Sequence, residues 1–297
     1  MNYAFYPGCV SKGACPELYQ SVLQVYPELG IDLQEMTTAS CTGAGVLQEK
    51  DAKLGDVLNA RTFALAEQQG LPIMTICSTC QGVMSQANHR LTTQPRYLQE
   101  VNGFLKDEGL TYRGTTTIKH FLWILLEDVG EDKLRQHITR PLTGLRAAPF
   151  YGCYIQRPTE ALGIDDHPDR GKSLERIIEI LGAEIVDFPG KTRCCGFPIL
   201  TINEKNSLTM VATHTRDAKS HGADIMVTPC PLCHLNLDGM QSKAANQEKT
   251  AIDLPILHLP QLLGLAMGLD AKLLGLQRNL ISATGALQKI GLEETGR

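Results

Sequence analysis

Nine of the ten cysteines in this 297-residue chain fall into one spacing pattern that occurs twice. The first copy runs Cys9, 31 intervening residues, Cys41-Thr42-Gly43, 33 more, then Cys77-Ser78-Thr79-Cys80. The second runs Cys153, 40 intervening residues, Cys194-Cys195-Gly196, 33 more, then Cys230-Pro231-Leu232-Cys233. Gly43 and Gly196, Cys77 and Cys230, and Cys80 and Cys233 are each 153 positions apart. The flanks repeat too. Phe5-Tyr6-Pro7-Gly8-Cys9 answers Phe150-Tyr151-Gly152-Cys153, and His120-Phe-Leu-Trp answers His258-Leu-Pro-Gln-Leu-Leu. A repeat on this scale is one supersecondary arrangement built twice. The fold must therefore be one that half the chain can make and that gathers each cysteine set. Only Cys15 lies outside the frame.

Disulfide stapling is not the reason for so many cysteines. A chain of this length stabilises itself by apolar burial, and its 43% hydrophobic content is ordinary for a soluble domain. Met1 to Cys9 lacks the basic start and apolar stretch of a secretory signal. The expectation is a reducing, cytoplasmic location, where clustered thiols mean metal or redox chemistry. A net charge of −4 supplies no field for gripping a phosphate backbone, so nucleic acid is not an expected partner. The longest apolar-rich stretch, residues 256 to 269, is too short to span a bilayer and contains His258, Pro260 and Gln261, so membrane insertion is not expected.

Short apolar runs that lead up to the cysteines, at residues 3–6, 73–76, 147–151 and 225–228, read as buried strands. Residues 46–69, 172–181 and 203–221 carry apolar positions at helical spacing. Strands alternating with helices predict an α/β fold with parallel sheets, built as two units joined near residues 140–147. In open sheets of this kind ligands sit outside the carboxyl ends of the strands, so cysteines placed just after strands converge on one edge. The division expected is residues 1–144, residues 145–276, and a weakly patterned tail, 277–297.

Thiolates are soft ligands suited to zinc and to iron-sulfur clusters, and Cys-x-x-Cys places two sulfurs on one centre. Cys9, Cys41, Cys77 and Cys80 satisfy either cofactor. The second copy offers five sulfurs, more than a tetrahedral zinc or an ordinary four-iron cube needs, which favours an iron-sulfur assembly there. A thioredoxin-like dithiol would have no use for the partners far upstream of each pair.

Cys, a long gap, Cys-Cys-Gly, a gap and Cys-x-x-Cys resembles the CCG cysteine-rich domain. Two copies together, with Cys-Cys-Gly-Phe-Pro and Cys-Pro-Leu-Cys-His-Leu-Asn-Leu-Asp, resemble the B subunit of heterodisulfide reductase and its bacterial sulfur-oxidation relatives. The resemblance covers about residues 1 to 270. It implies two pseudo-symmetric Rossmann-like CCG domains and a non-cubane [4Fe-4S] cluster held by Cys153, Cys194, Cys195, Cys230 and Cys233. It further implies an oxidoreductase subunit doing disulfide or thiol redox chemistry at that cluster. The partners would be iron-sulfur and flavin subunits, and the substrate a small heterodisulfide or a dithiol on a lipoyl protein. The first copy departs from the pattern, because Thr42 stands where the second cysteine of Cys-Cys-Gly belongs. A neutral hydroxyl is a poor iron ligand, so a simpler centre is expected at Cys9, Cys41, Cys77 and Cys80, a [4Fe-4S] cluster before zinc. The alternative is a structural or anchoring electron-transfer subunit with zinc or ordinary iron-sulfur sites, as in CCG-bearing subunits of some respiratory dehydrogenases.

Other signals are weaker. Gly43-Ala-Gly45 lacks the third glycine of a dinucleotide loop. His120 and His258 read as structural histidines, His234 as a helix-surface residue or a group that tunes a cluster, and Arg157 and Arg193 as exposed arginines or groups able to attract an anion. Cys15 reads as a small buried hydrophobe.

Overall fold

The computed structural model describes residues 1–292, so the last five residues of the expected tail lie outside the described residues. Its eight strands form two four-stranded sheets, and every pairing is parallel. The first contains β1 (Asn2–Tyr6), β2 (Asp32–Glu35), β3 (Ile73–Thr75) and β4 (Ile118–His120), in the order β2-β1-β3-β4. The second contains β5 (Arg146–Pro149), β6 (Glu184–Ile185), β7 (Ile225–Thr228) and β8 (Ile256–His258), in the order β6-β5-β7-β8. The registers match as well: Ala4 pairs with Ile73 and Thr75 with His120, while Ala148 pairs with Met226 and Thr228 with His258. The duplicated α/β architecture expected from the cysteine spacing is present.

The central strands are continuous apolar runs because helices cover both faces of a parallel sheet. Ile73, Met74, Ile225, Met226 and Val227 are all fully buried. The sequence pattern over residues 46–69 suggests one helix, but there are two, Val46–Lys50 and Ala52–Gln69. Asp51 parts them: its carboxylate accepts from Leu54 N at 2.9 Å, capping the second helix. The helices Ser173–Ile180 and Glu204–Ser220 fall close to their expected places, the latter capped by Asn203. The apolar stretch 256–269 is β8 followed by the buried helix Leu259–Ala266. Among the described residues no helix is long and apolar enough to cross a membrane.

The chain forms two compact units whose membership exchanges short segments between the sequence halves. One comprises Met1–Cys9, Gly30–Phe121 and Tyr154–Gly171. Within it, helix Ser78–Thr93 lies so close to the exchanged segment that a Cβ on Gly82 would sit 2.6 Å from the Tyr154 carbonyl oxygen. The other comprises Val10–Leu29, Leu122–Cys153 and the chain from Lys172 onward. There the helix Pro16–Glu28 packs against Leu259–Ala266 and buries Leu18, Val22, Val25 and Tyr26 completely.

Candidate metal centres

In both units the cysteines lie beyond the carboxyl ends of the first three strands, on either side of the point where strand order reverses. Loops diverge there and leave a crevice. In the second unit Cys153 follows β5, Cys194 and Cys195 lie in the loop after β6, and Cys230 caps the helix Pro231–Gly239, whose first turn carries Cys233. In the first unit Cys9 follows β1, Cys41 follows β2, and Cys77 caps Ser78–Thr93, with Cys80 in its first turn. The two capping cysteines share one extended conformation, φ −129° and ψ 116° for Cys77 against φ −132° and ψ 122° for Cys230. A helix N-terminus favours negative charge, so both Cys-x-x-Cys pairs sit where thiolates are stabilised. All ten cysteines are present as thiols.

The five thiols of the second copy act on one another in an unbroken series: Cys153 with Cys194, Cys194 with Cys195, Cys195 with Cys233, and Cys233 with Cys230. Cys194 is the acceptor in this series. Bonds from Cys153 and then Cys195 hold its thiol down to about 2, against pressure from burial. The bond to Cys194, followed by burial for Cys153, pushes Cys153 and Cys195 above the usual thiol range. Bonds to Cys195 and Cys230, then burial, push Cys233 up as well. Thiols held this close raise one another's cost of ionisation, and a cationic centre removes that cost by binding them as thiolates.

The surroundings fix the loop and leave room at the sulfurs. Gly196 N–H donates to Cys194 Sγ at 3.4 Å. Asn236 Nδ2 donates to Cys195 O at 2.7 Å, Ser207 Oγ to Gly196 O at 2.9 Å, and His214 Nε2 to Cys194 O at 2.9 Å. A carbonyl can only accept, so His214 carries its proton on Nε2. A Cβ at Gly152, whose φ is +71°, would stand 2.8 Å from Cys233 Sγ; only glycine lets the strand end approach the sulfurs this closely.

The first unit repeats this scaffold with one change. Gly43 N–H donates to Cys41 Sγ at 3.5 Å, and Asn59 Nδ2 donates to Thr42 O at 3.0 Å, as Asn236 does to Cys195 O. Cys9 and Cys41 share a hydrogen bond, and burial followed by the charge of Cys41 raises the Cys9 thiol. The Tyr6 phenol lies among all four sulfurs. Burial, then Cys80, Cys41, Cys9 and Cys77, push it far above its usual range. Where Cys195 bonds Cys233, Thr42 Oγ1 instead points at Cys80 Sγ from 3.8 Å. Thr42 is buried, so the hydroxyl occupies the fifth position physically as well as in sequence.

Both donor sets fit the cofactors expected of them. Five soft sulfurs suit an iron-sulfur assembly, and four sulfurs beside a hydroxyl suit a four-ligand cluster or zinc. The four cysteines of the first copy lie in one compact unit and the five of the second in the other. Of the residues around them, Tyr6 stands in the flank that repeats as Tyr151 and Asn236 inside the motif that follows Cys230, whereas Asn59, Ser207 and His214 carry no sequence signal. His234 is buried, with its ring bonded to Ile256 O at 3.0 Å, and is no surface residue. Arg157 and Arg193 are exposed.

Residues 3–85 and 147–238 match the CCG cysteine-rich domain. The chain belongs to this family. It is 39% identical to the 8-methylmenaquinol:fumarate reductase membrane anchor subunit of Wolinella succinogenes, over 95% of this chain and 98% of that protein. It is 31% identical to a protein of Archaeoglobus profundus that is like the B subunit of heterodisulfide reductase, over 91% and 92%. It is 30% identical to the B subunit of a ferredoxin/F(420)H(2)-dependent CoB-CoM heterodisulfide reductase of Methanosarcina acetivorans, over 97% and 96%. The chain is thus a member of the heterodisulfide reductase B-type proteins. In fold it resembles a hypothetical protein from Helicobacter pylori, with a TM-score of 0.74 at 16% identity; 95% of this chain spans 52% of that one.

Proposed function

We propose that the chain is the iron-sulfur, electron-transferring subunit of a multi-subunit reductase. Cys153, Cys194, Cys195, Cys230 and Cys233 hold a non-cubane [4Fe-4S] cluster, and Cys9, Cys41, Cys77 and Cys80 hold a simpler centre, a [4Fe-4S] cluster before zinc. What carries the reading is the unbroken run of five sulfurs in one unit against four sulfurs and the Thr42 hydroxyl in the other. Such clusters supply one-electron transfer. The protein's own part is to present the sulfurs on two helix N-termini, to donate Gly43 and Gly196 N–H to Cys41 and Cys194, and to pin the Cys-Cys-Gly loop through Asn236, Ser207 and His214. Hydrogen bonds to cluster sulfurs and burial set the potential. The repeat is divided as residues 1–144 and 145–276, with 277–297 as a tail.

For the setting, we favour an anchoring role in a respiratory reductase. The relative at 39% identity along nearly its whole length is named as the membrane anchor subunit of a reductase, and Thr42 removes the second five-cysteine set. The other reading is disulfide or thiol redox chemistry in sulfur metabolism, within a cytoplasmic complex that includes iron-sulfur and flavin subunits and takes a small heterodisulfide or a lipoyl-borne dithiol. The complete second set and the heterodisulfide reductase relatives favour it. Anaerobic purification with iron, sulfide and zinc analysis and EPR tests the common part. Cys195→Ala should abolish one cluster signal and leave the other. Zinc at both sites without acid-labile sulfide would overturn the proposal. A thiol-dependent change in the Cys195-linked signal selects the sulfur-chemistry reading, and a signal indifferent to thiols and disulfides selects the anchoring one.

A further inference from the structure

Cys15, Glu17, His234 and His258 form a cluster that neither cysteine centre uses. All four belong to one compact unit, although more than two hundred residues separate the first pair from the second. Cys15 caps the helix Pro16–Glu28, Glu17 stands in its first turn, His234 lies on Pro231–Gly239, and His258 ends β8. Each side chain offers one donor atom, and the four atoms lie within 4.8 Å of one another. None of the four residues is more than 5% exposed.

Glu17 is the acceptor at the centre of this cluster. Ile256 O can only accept, so His234 Nε2, 3.0 Å away, carries the proton and Nδ1 presents a lone pair. That lone pair lies 3.8 Å from Glu17 Oε1, a second acceptor, with both side chains buried. The same oxygen is 3.2 Å from His258 Nε2. The Cys15 thiol points at Pro231 O, 3.5 Å away, and contributes no cation. Arg278 reaches only the far oxygen of Glu17, at 3.7 Å, with half of its side chain in solvent.

We propose that Cys15, Glu17, His234 and His258 bind one divalent metal ion of the zinc type, separate from the two cysteine centres. One thiolate, one carboxylate and two neutral imidazoles make a four-coordinate set of the hardness zinc takes. Loss of the Cys15 proton leaves two negative charges that neutralise a 2+ ion, so the buried site carries no net charge. The bond from His234 to the Ile256 carbonyl fixes the ring with Nδ1 turned inward, as second partners of metal-bound histidines do. The two imidazoles stack beside each other, 3.8 Å apart at 20°, on the side of the cluster that faces Glu17. The ion would clamp the exchanged helix Pro16–Glu28 to the helix that carries Cys233, giving Cys15 a role the duplicated frame leaves open.

The test uses the intact chain, purified anaerobically, with zinc, iron and sulfide measured together and zinc then exchanged for cobalt(II). Wild type should hold one zinc or cobalt per chain that survives Cys41→Ala, which leaves the first cysteine centre one sulfur short of the four a tetrahedral metal takes. Cys15→Ala should lose that equivalent and its thiolate-to-cobalt absorption while keeping the iron bound through Cys195. Glu17→Gln, which preserves shape, should weaken cobalt binding at least tenfold and serves where Cys15→Ala folds poorly. A Cys41→Ala protein with no zinc and no cobalt uptake, or a folded Cys15→Ala variant with wild-type cobalt absorption, would overturn the proposal.

Discussion

At position 42 a buried hydroxyl stands where the other half of the chain has the Cys195 thiol, with the backbone on both sides held the same way. Asn59 anchors Thr42 O and Gly43 N–H reaches Cys41 Sγ, matching Asn236 and Gly196 around Cys195. The site therefore differs by one donor atom rather than by shape. Thr42→Cys should place a sulfur against Cys80, at a folding cost of about 1 kcal/mol or less for so small a change in volume. After anaerobic reconstitution with iron and sulfide, the first centre should give the EPR signal of the second, doubling its intensity. A spectrum identical to wild type would show that Cys195 is not what makes the second centre distinct. At this scale the sequence was informative wherever chemistry repeats at fixed spacing, since thiols held in register across two copies are what a pair of metal centres needs and what packing alone does not. It was silent about His214, Ser207 and Glu17, which meet the Cys-Cys-Gly backbone or the buried histidines only through tertiary packing and belong to helices with no distinguishing pattern.

Elements with two buried faces were legible as apolar runs, and those with one exposed face were not. β3 and β7 were readable because every residue in them is buried, whereas the edge strand β2, Asp-Leu-Gln-Glu, alternates exposed and half-buried and looks like a loop. The helix Pro231–Gly239 shows how an element can be tied down by a group no periodicity reveals. Near its end, Asp238 accepts from Leu280 N at 2.6 Å and from Ile281 N at 3.1 Å, docking the segment that follows Leu276–Arg278. Burial dominates these bonds and raises the Asp238 carboxyl from the usual 3.8 to about 6. The folded chain thus keeps this proton to about pH 6, while the unfolded chain releases it near 3.8. Between those values the folded state binds more protons, so this group's contribution falls as pH rises, by on the order of 3 kcal/mol across the window. Asp238→Asn should flatten the pH dependence of urea unfolding between about pH 4 and 6, relative to wild type. It should also cost about 1 kcal/mol at pH 4, because one of the two N–H groups then meets an amide NH2. An unaltered slope would mean that Asp238 ionises normally.

At the scale of the whole chain, the duplication visible in the cysteine spacing is a statement about ancestry and topology, and the compact units follow a different partition. Each sheet is built from one half, yet Val10–Leu29 belongs to the unit of the second sheet and Tyr154–Gly171 to the unit of the first. Nothing in an amphipathic pattern says which sheet a helix will cover, so this exchange could not be read from the repeat. It has an energetic consequence. Leu18, Val22, Val25, Tyr26 and Leu29 are fully buried in a unit whose sheet lies more than a hundred residues downstream. Five such side chains represent roughly 10 kcal/mol of apolar burial, as much as the net stability of an ordinary domain. A fragment of residues 145–297 lacks them and leaves the Leu259–Ala266 face uncovered. It should be aggregated or molten, without a cooperative unfolding transition, and co-expression with residues 1–144 should restore a soluble, cooperatively unfolding complex. Size-exclusion chromatography and thermal circular dichroism decide the matter. A monomeric 145–297 fragment melting like the intact chain would mean that the exchanged helix is dispensable and that the sequence repeat, after all, marks independent domains.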